Sequence, residues 1–167
     1  MNLRTFRMHS LLLTALLPAV SLAADLTGMA PPAQADRALA FRAMAIQGVW
    51  DSTVTLTPCT NPSLVLARFR ALNQFNAHGS LIATSQVAQP PSLGKWEWLG
   101  GGRFRAKFRF QRFGAGGVFE GLTQVTREIQ LAPDGNSFTG VVATELFDLT
   151  DTLFAQGCGS ETAKRLY

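Results

Sequence analysis

The stretch from Gly48 to Leu166 is a succession of short runs alternating between apolar and polar residues, cut at regular intervals by tight turn signals. Its clearest part is Arg103 to Phe113, where Phe104, Ala106, Phe108 and Phe110 alternate with Arg103, Arg105, Lys107 and Arg109. A period of two places one set on each face of a strand, so this run has one dry and one wet face. The turns are equally explicit: Ala77-His78-Gly79, Gly100-Gly101-Gly102, Gly114-Ala115-Gly116-Gly117 and Pro133-Asp134-Gly135-Asn136. Strands are expected at 48–57, 67–76, 80–87, 94–99, 103–113, 118–131, 137–147 and 153–165. A meander of eight short-looped strands removes its exposed edges by closing, so the expected fold is all-β, an eight-stranded antiparallel up-and-down barrel. A two-sheet sandwich would need long crossovers, and no connection exceeds about nine residues.

Hairpin register follows from keeping apolar residues on one face. It pairs Phe75 with Leu81, Trp98 with Phe104, Phe113 with Val118, Arg103 with Glu128, Leu131 with Phe138, Leu146 with Phe154 and Thr144 with Gln156. The row Arg103, Arg105, Lys107, Arg109 and Arg112 is then read as a solvated outer face.

Ahead of the strands, Arg4 and Arg7 precede an apolar run from Leu11 to Val20 and the small residues Ser21 to Ala24. That is the pattern of a signal peptide over residues 1–24, and the run is too short for a membrane span. The expected location is outside the cytoplasm, in the periplasm or the medium. Residues 25–46, with Pro31-Pro32 and an amphipathic Ala35–Ala45, form a leader that is either disordered or a short helix, and residues 47–167 form the barrel domain. Cleavage would leave 13 Lys and Arg against 11 Asp and Glu, a charge of +2 rather than the +4 of the whole chain. That near-balance argues against nucleic acid as a partner. In an oxidising compartment the two cysteines, Cys59 and Cys158, are expected to pair.

The Gly48-Val49-Trp50 start of the first strand resembles that of the calycin superfamily, the lipocalins and their relatives. Arg165, near the end of the last strand, occupies the place of the arginine that packs across this Trp50 in that superfamily. Phe69-Arg70-Ala71-Leu72-Asn73 and Phe108-Arg109-Phe110 are similar to strands of small exported bacterial lipocalin-like proteins of unassigned function. The resemblance implies a barrel shut at the Trp50 end and open at the other, and the chain is expected to be a monomer. It departs from a typical lipocalin in lacking a C-terminal helix.

With that orientation, Leu56, Phe69, Val87, Trp96, Phe110, Phe119, Leu146 and Phe154 are expected around the mouth. Ser52, Asn73, Ser85, Thr123, Thr144 and Gln156 are expected midway down. An apolar rim over neutral hydrogen-bonding groups suits a small hydrophobic or aromatic ligand carrying one polar group. The ligand-binding set is thus Leu56, Phe69, Asn73, Ser85, Trp96, Phe110, Phe119, Thr123, Thr144, Phe154 and Gln156, with Trp50, Arg127 and Arg165 structural. Arg127 is the one inward charge expected, without an inward acid, and is read as a cap at the closed end. His78 is the single histidine beyond the signal segment, so no cofactor, metal or catalytic set is indicated. Two alternatives to ligand binding are a protein-interaction barrel, such as a protease inhibitor acting through its leader, and a non-metal isomerase or cyclase.

Overall fold

The computed structural model describes residues 43–167, so the expected signal peptide and most of the leader lie outside the described residues. Eight strands follow one another: β1 (Gly48–Thr57), β2 (Ala67–Phe75), β3 (Ser80–Ser85), β4 (Ala88–Gly100), β5 (Arg103–Phe113), β6 (Phe119–Leu131), β7 (Ser137–Phe147) and β8 (Leu153–Arg165). They pair in chain order as a closed antiparallel barrel, with β1 against β8 as the seam. The all-β barrel expected from the turn spacing is the fold observed.

Even-numbered residues of β5 and, from Gly121 onward, odd-numbered residues of β6 point inward. Together with Trp50, Phe75, Leu81, Phe138 and Val142 they build the core. Trp50, Phe75, Phe104 and Phe138 are fully buried at the closed end, where Phe138 lies 4.9 Å from Trp50 and 6.3 Å from Phe75, centroid to centroid. Tilted and edge-on contacts at these separations suit the aromatic quadrupole. Ile46 closes the end beneath Trp50, whose Nε1–H donates to the Ile46 carbonyl at 2.8 Å. Arg165 stacks over the Trp50 ring at 4.2 Å and donates to the carbonyls of Ala45, Gln47 and Gly135. One guanidinium therefore ties the strand-entry segment, the first strand and the β6–β7 turn together.

Register agrees with the sequence reading at Phe75–Leu81, Trp98–Phe104 and Leu131–Phe138. It differs at two hairpins, each holding a β-bulge. Between Arg112 and Phe113 the ladder shifts, Gly121 takes φ 122°, and β5 and β6 pair Arg103 with Gln130 rather than Glu128. A Cβ at Gly121 would fall 2.2 Å from the Phe147 carbonyl oxygen, so both backbone angle and space demand glycine there. The offset on this hairpin is two residues, which preserves the faces through most of β6, and Glu128 instead bridges Arg105 at 3.0 Å. The second bulge, between Leu146 and Phe147, offsets β8 by one residue: Thr144 pairs with Gly157, not Gln156, and Leu146 with Ala155, not Phe154. A one-residue offset exchanges the faces of a strand.

The cysteines are joined as expected. Cys59, in the loop after β1, bonds Cys158 on β8, 99 residues away with Cα atoms 4.9 Å apart. Among the described residues no helix is long and apolar enough to cross a membrane.

Candidate functional site

The interior is filled at the Trp50 end and hollow at the other. A cavity of about 280 Å³ occupies the upper half of the barrel. Leu56, Phe69, Val87, Phe110 and Leu146 line it towards the mouth, while Ser85, Thr123 and Thr144 supply hydroxyls along its walls. Small residues make the room: Ala71 and Ala83 stand on the lining where larger side chains would fill it.

Arg127 borders the cavity from below and belongs to a buried polar cluster. Its Nη1 donates to Glu161 Oε1 at 3.0 Å and to Asn73 Oδ1 at 2.8 Å. Asn73 Nδ2 in turn donates to Ser52 Oγ at 2.7 Å and to Glu161 Oε1 at 3.1 Å. The guanidinium also sits 4.5 Å from the Phe108 ring centroid. Arg127 is 4% and Glu161 1% exposed, so both charges are withdrawn from water and each depends on the other. Burial pushes the Arg127 guanidinium below its ordinary pKa, and the Glu161 carboxylate opposes that shift. Arg127 Nε and Glu161 Oε2 are enclosed without a hydrogen-bond partner among the described residues.

This cluster corrects the expectation that Arg127 lacks an inward acid. The bulge at Leu146/Phe147 turns the odd-numbered residues of β8 inward, which brings Glu161 into the barrel opposite Val54. The same shift leaves Phe154 and Gln156 exposed and off the cavity lining, with Phe154 at the rim against Arg112. Phe119 also lies outside, its ring 5.8 Å from Phe113, because the Arg112/Phe113 bulge reverses the end of β6. Trp96 belongs to the closed half: β4 begins at Ala88 rather than 94, so Trp96 falls well below the mouth, 6.3 Å from Phe75 and 5.9 Å from Phe104. Its Nε1–H donates to the Asn76 carbonyl in the β2–β3 turn. Asn73 is part of the buried cluster under the cavity. Of the expected ligand set, the structure brings Leu56, Phe69, Ser85, Phe110, Thr123 and Thr144 together around one cavity, each from a different strand.

Arg112 is the further residue that the outer-row reading misplaces. It shares the even numbering of Phe108 and Phe110, and it lines the cavity near the mouth. Its Nη2 donates to the carbonyls of Glu120 at 2.9 Å and Phe147 at 3.0 Å, and its guanidinium lies 5.0 Å from the Phe154 ring centroid.

The fold and its hollow define a closed eight-stranded antiparallel barrel with an internal, largely apolar cavity, an architecture compatible with ligand binding. No family model and no curated protein matches the chain.

Proposed function

We propose that this is an exported, calycin-like barrel that holds a small hydrophobic or aromatic molecule in the cavity beneath its mouth. The observation that carries the reading is the hollow itself. Protein interiors are close-packed, and leaving about 280 Å³ unfilled forfeits dispersion contacts all along its lining. The cavity sits near the lower end of the range for small-molecule sites, and its walls combine apolar side chains with a few hydroxyls. Leu56, Phe69 and Phe110 would grip the apolar body of the ligand, and Ser85, Thr123 or Thr144 would meet its polar group. The stack of Arg165 on Trp50 supports the superfamily reading, and the disulfide supports export to the periplasm or the medium.

None of the three tryptophans lines the cavity, so intrinsic fluorescence is a poor reporter of binding. The test is titration with N-phenyl-1-naphthylamine, a neutral apolar fluorophore that brightens on leaving water. Wild-type protein should bind it saturably. Ala83→Phe, which fills the cavity from β3, should lower affinity by at least about tenfold, the effect of removing on the order of 1.4 kcal/mol of apolar burial. Saturable binding that survives Ala83→Phe in a folded protein would place the dye elsewhere and refute the assignment.

A further inference from the structure

Two arginines border the cavity, and their charges are met in different ways. Arg127, below, is neutralised by Glu161 at 3.0 Å. Arg112, near the mouth, has no carboxylate within 4.0 Å among the described residues. Its two hydrogen bonds go to neutral backbone carbonyls and both leave from Nη2, while Nε is enclosed without a partner. The Glu120 side chain, the nearest acid in sequence, lies against Gly114 instead. The Phe154 ring covers one face of the guanidinium. Clamped by two carbonyls and an aromatic ring, the group is held in place with charge and donor capacity unused. Of the two arginines on the lining, the lower is therefore paired with an acid and the upper is not.

From this asymmetry we propose that the ligand is an amphiphile with a carboxylate head, bound tail-first, its head at the mouth against Arg112 and its chain running down between Phe69, Phe110 and Val125. The inference rests on the binding function proposed above and adds to it the charge of the ligand and its direction. A head-first anion would meet Arg127 already paired, and would set a second negative charge beside Glu161 in a site of low dielectric. A head at the mouth meets an unpaired cation and keeps partial contact with water. Charge-assisted hydrogen bonds of this kind are about twice as strong as neutral ones.

The test displaces N-phenyl-1-naphthylamine with octanoate and with 1-octanol, which share a chain and differ in head-group charge. Wild-type protein at neutral pH and low salt should bind octanoate about tenfold or more tightly than 1-octanol, the advantage expected of a hydrogen bond to a charged group. Arg112→Gln should erase that preference by weakening octanoate alone. Arg112→Lys, which keeps the charge, should retain part of it. Equal binding of the two by wild-type protein, or a preference that persists in Arg112→Gln, overturns the proposal while leaving the apolar site standing. Should Arg112→Gln weaken both compounds by disturbing the turn, the lysine variant decides: a retained octanoate preference supports the proposal and its loss overturns it. If wild-type protein does not bind the dye, the binding function and this inference fall together; if it binds the dye and neither compound displaces it, this inference alone is overturned.

Discussion

Replacing Glu161 by glutamine tests the buried cluster most directly, because it removes one charge and almost no volume. At 3.0 Å and an effective dielectric near 20, the Arg127–Glu161 attraction is about 5 kcal/mol. The variant loses that attraction but keeps an amide oxygen able to accept from Arg127 and Asn73, so part of the hydrogen bonding survives. What remains is an uncompensated guanidinium, 4% exposed, for which a loss of about 3–5 kcal/mol is the usual cost. For a domain of this size that corresponds to a melting temperature lower by roughly 10–20 °C. Urea unfolding at neutral pH with the disulfide intact measures the loss. The double variant Arg127→Met/Glu161→Gln supplies the internal control: it removes the orphaned charge, retains an apolar stem over Phe108, and should be more stable than Glu161→Gln alone. Two results would refute the reasoning: a Glu161→Gln loss below about 1 kcal/mol, or a double variant no more stable than the single.

Two further predictions concern the open end. Substituting Cys59 and Cys158 by serine should cost up to about 4.7 kcal/mol, the chain-entropy value for a loop near 100 residues, read as a lower urea midpoint that reduction of the wild type reproduces. Asp148 accepts hydrogen bonds from the Thr152 backbone amide, the Thr150 hydroxyl and the Thr150 backbone amide, which lower its carboxyl from the ordinary value. A folded pKa below the unfolded one means that the stabilisation is present above the unfolded value and fades as pH falls through the folded one. Asp148→Asn should therefore be less stable than wild type at neutral pH, with the gap closing in acid; a gap independent of pH would contradict the assignment.

How much of this was legible depends on what alternation can and cannot encode. Phe104 to Phe110 announce their faces because apolar and charged residues alternate without exception, and tight turns such as Gly100–Gly102 and Pro133–Asn136 fix register by their length. A bulge leaves no comparable mark. Around Leu146 and Phe147 nothing in the sequence shows the extra residue. Beyond it, Ala155-Gln156-Gly157-Cys158-Gly159-Ser160 offers small residues on both faces, so neither parity carries a hydrophobic signal. Glu161 was hidden by that ambiguity, and with it the partner of Arg127. Gly121 did leave a trace, since an isolated glycine in a strand pattern points to a bulge. The early start of β4 was masked by Pro90-Pro91, residues that lack a ladder donor and read as a loop. Arg112, by contrast, was readable: counting by two from Phe104 puts it inside, and its charge argued the other way.

The seam between β1 and β8 is the one strand pair not made by a hairpin. Seven of the eight pairings are local and can form as their turns form, whereas the eighth joins the two ends of the meander. Pairings distant in sequence must meet their loop-closure entropy before any contact rewards it, and they set the pace of folding in β proteins. Cys59 and Cys158 stand beside that seam, next to the Thr57–Cys158 pair. Once they are joined, the two ends can no longer diffuse apart, and zipping β1 onto β8 becomes as local as any hairpin. For the oxidised chain, refolding is the closing of a hoop already linked; for the reduced chain it is a search for the far end.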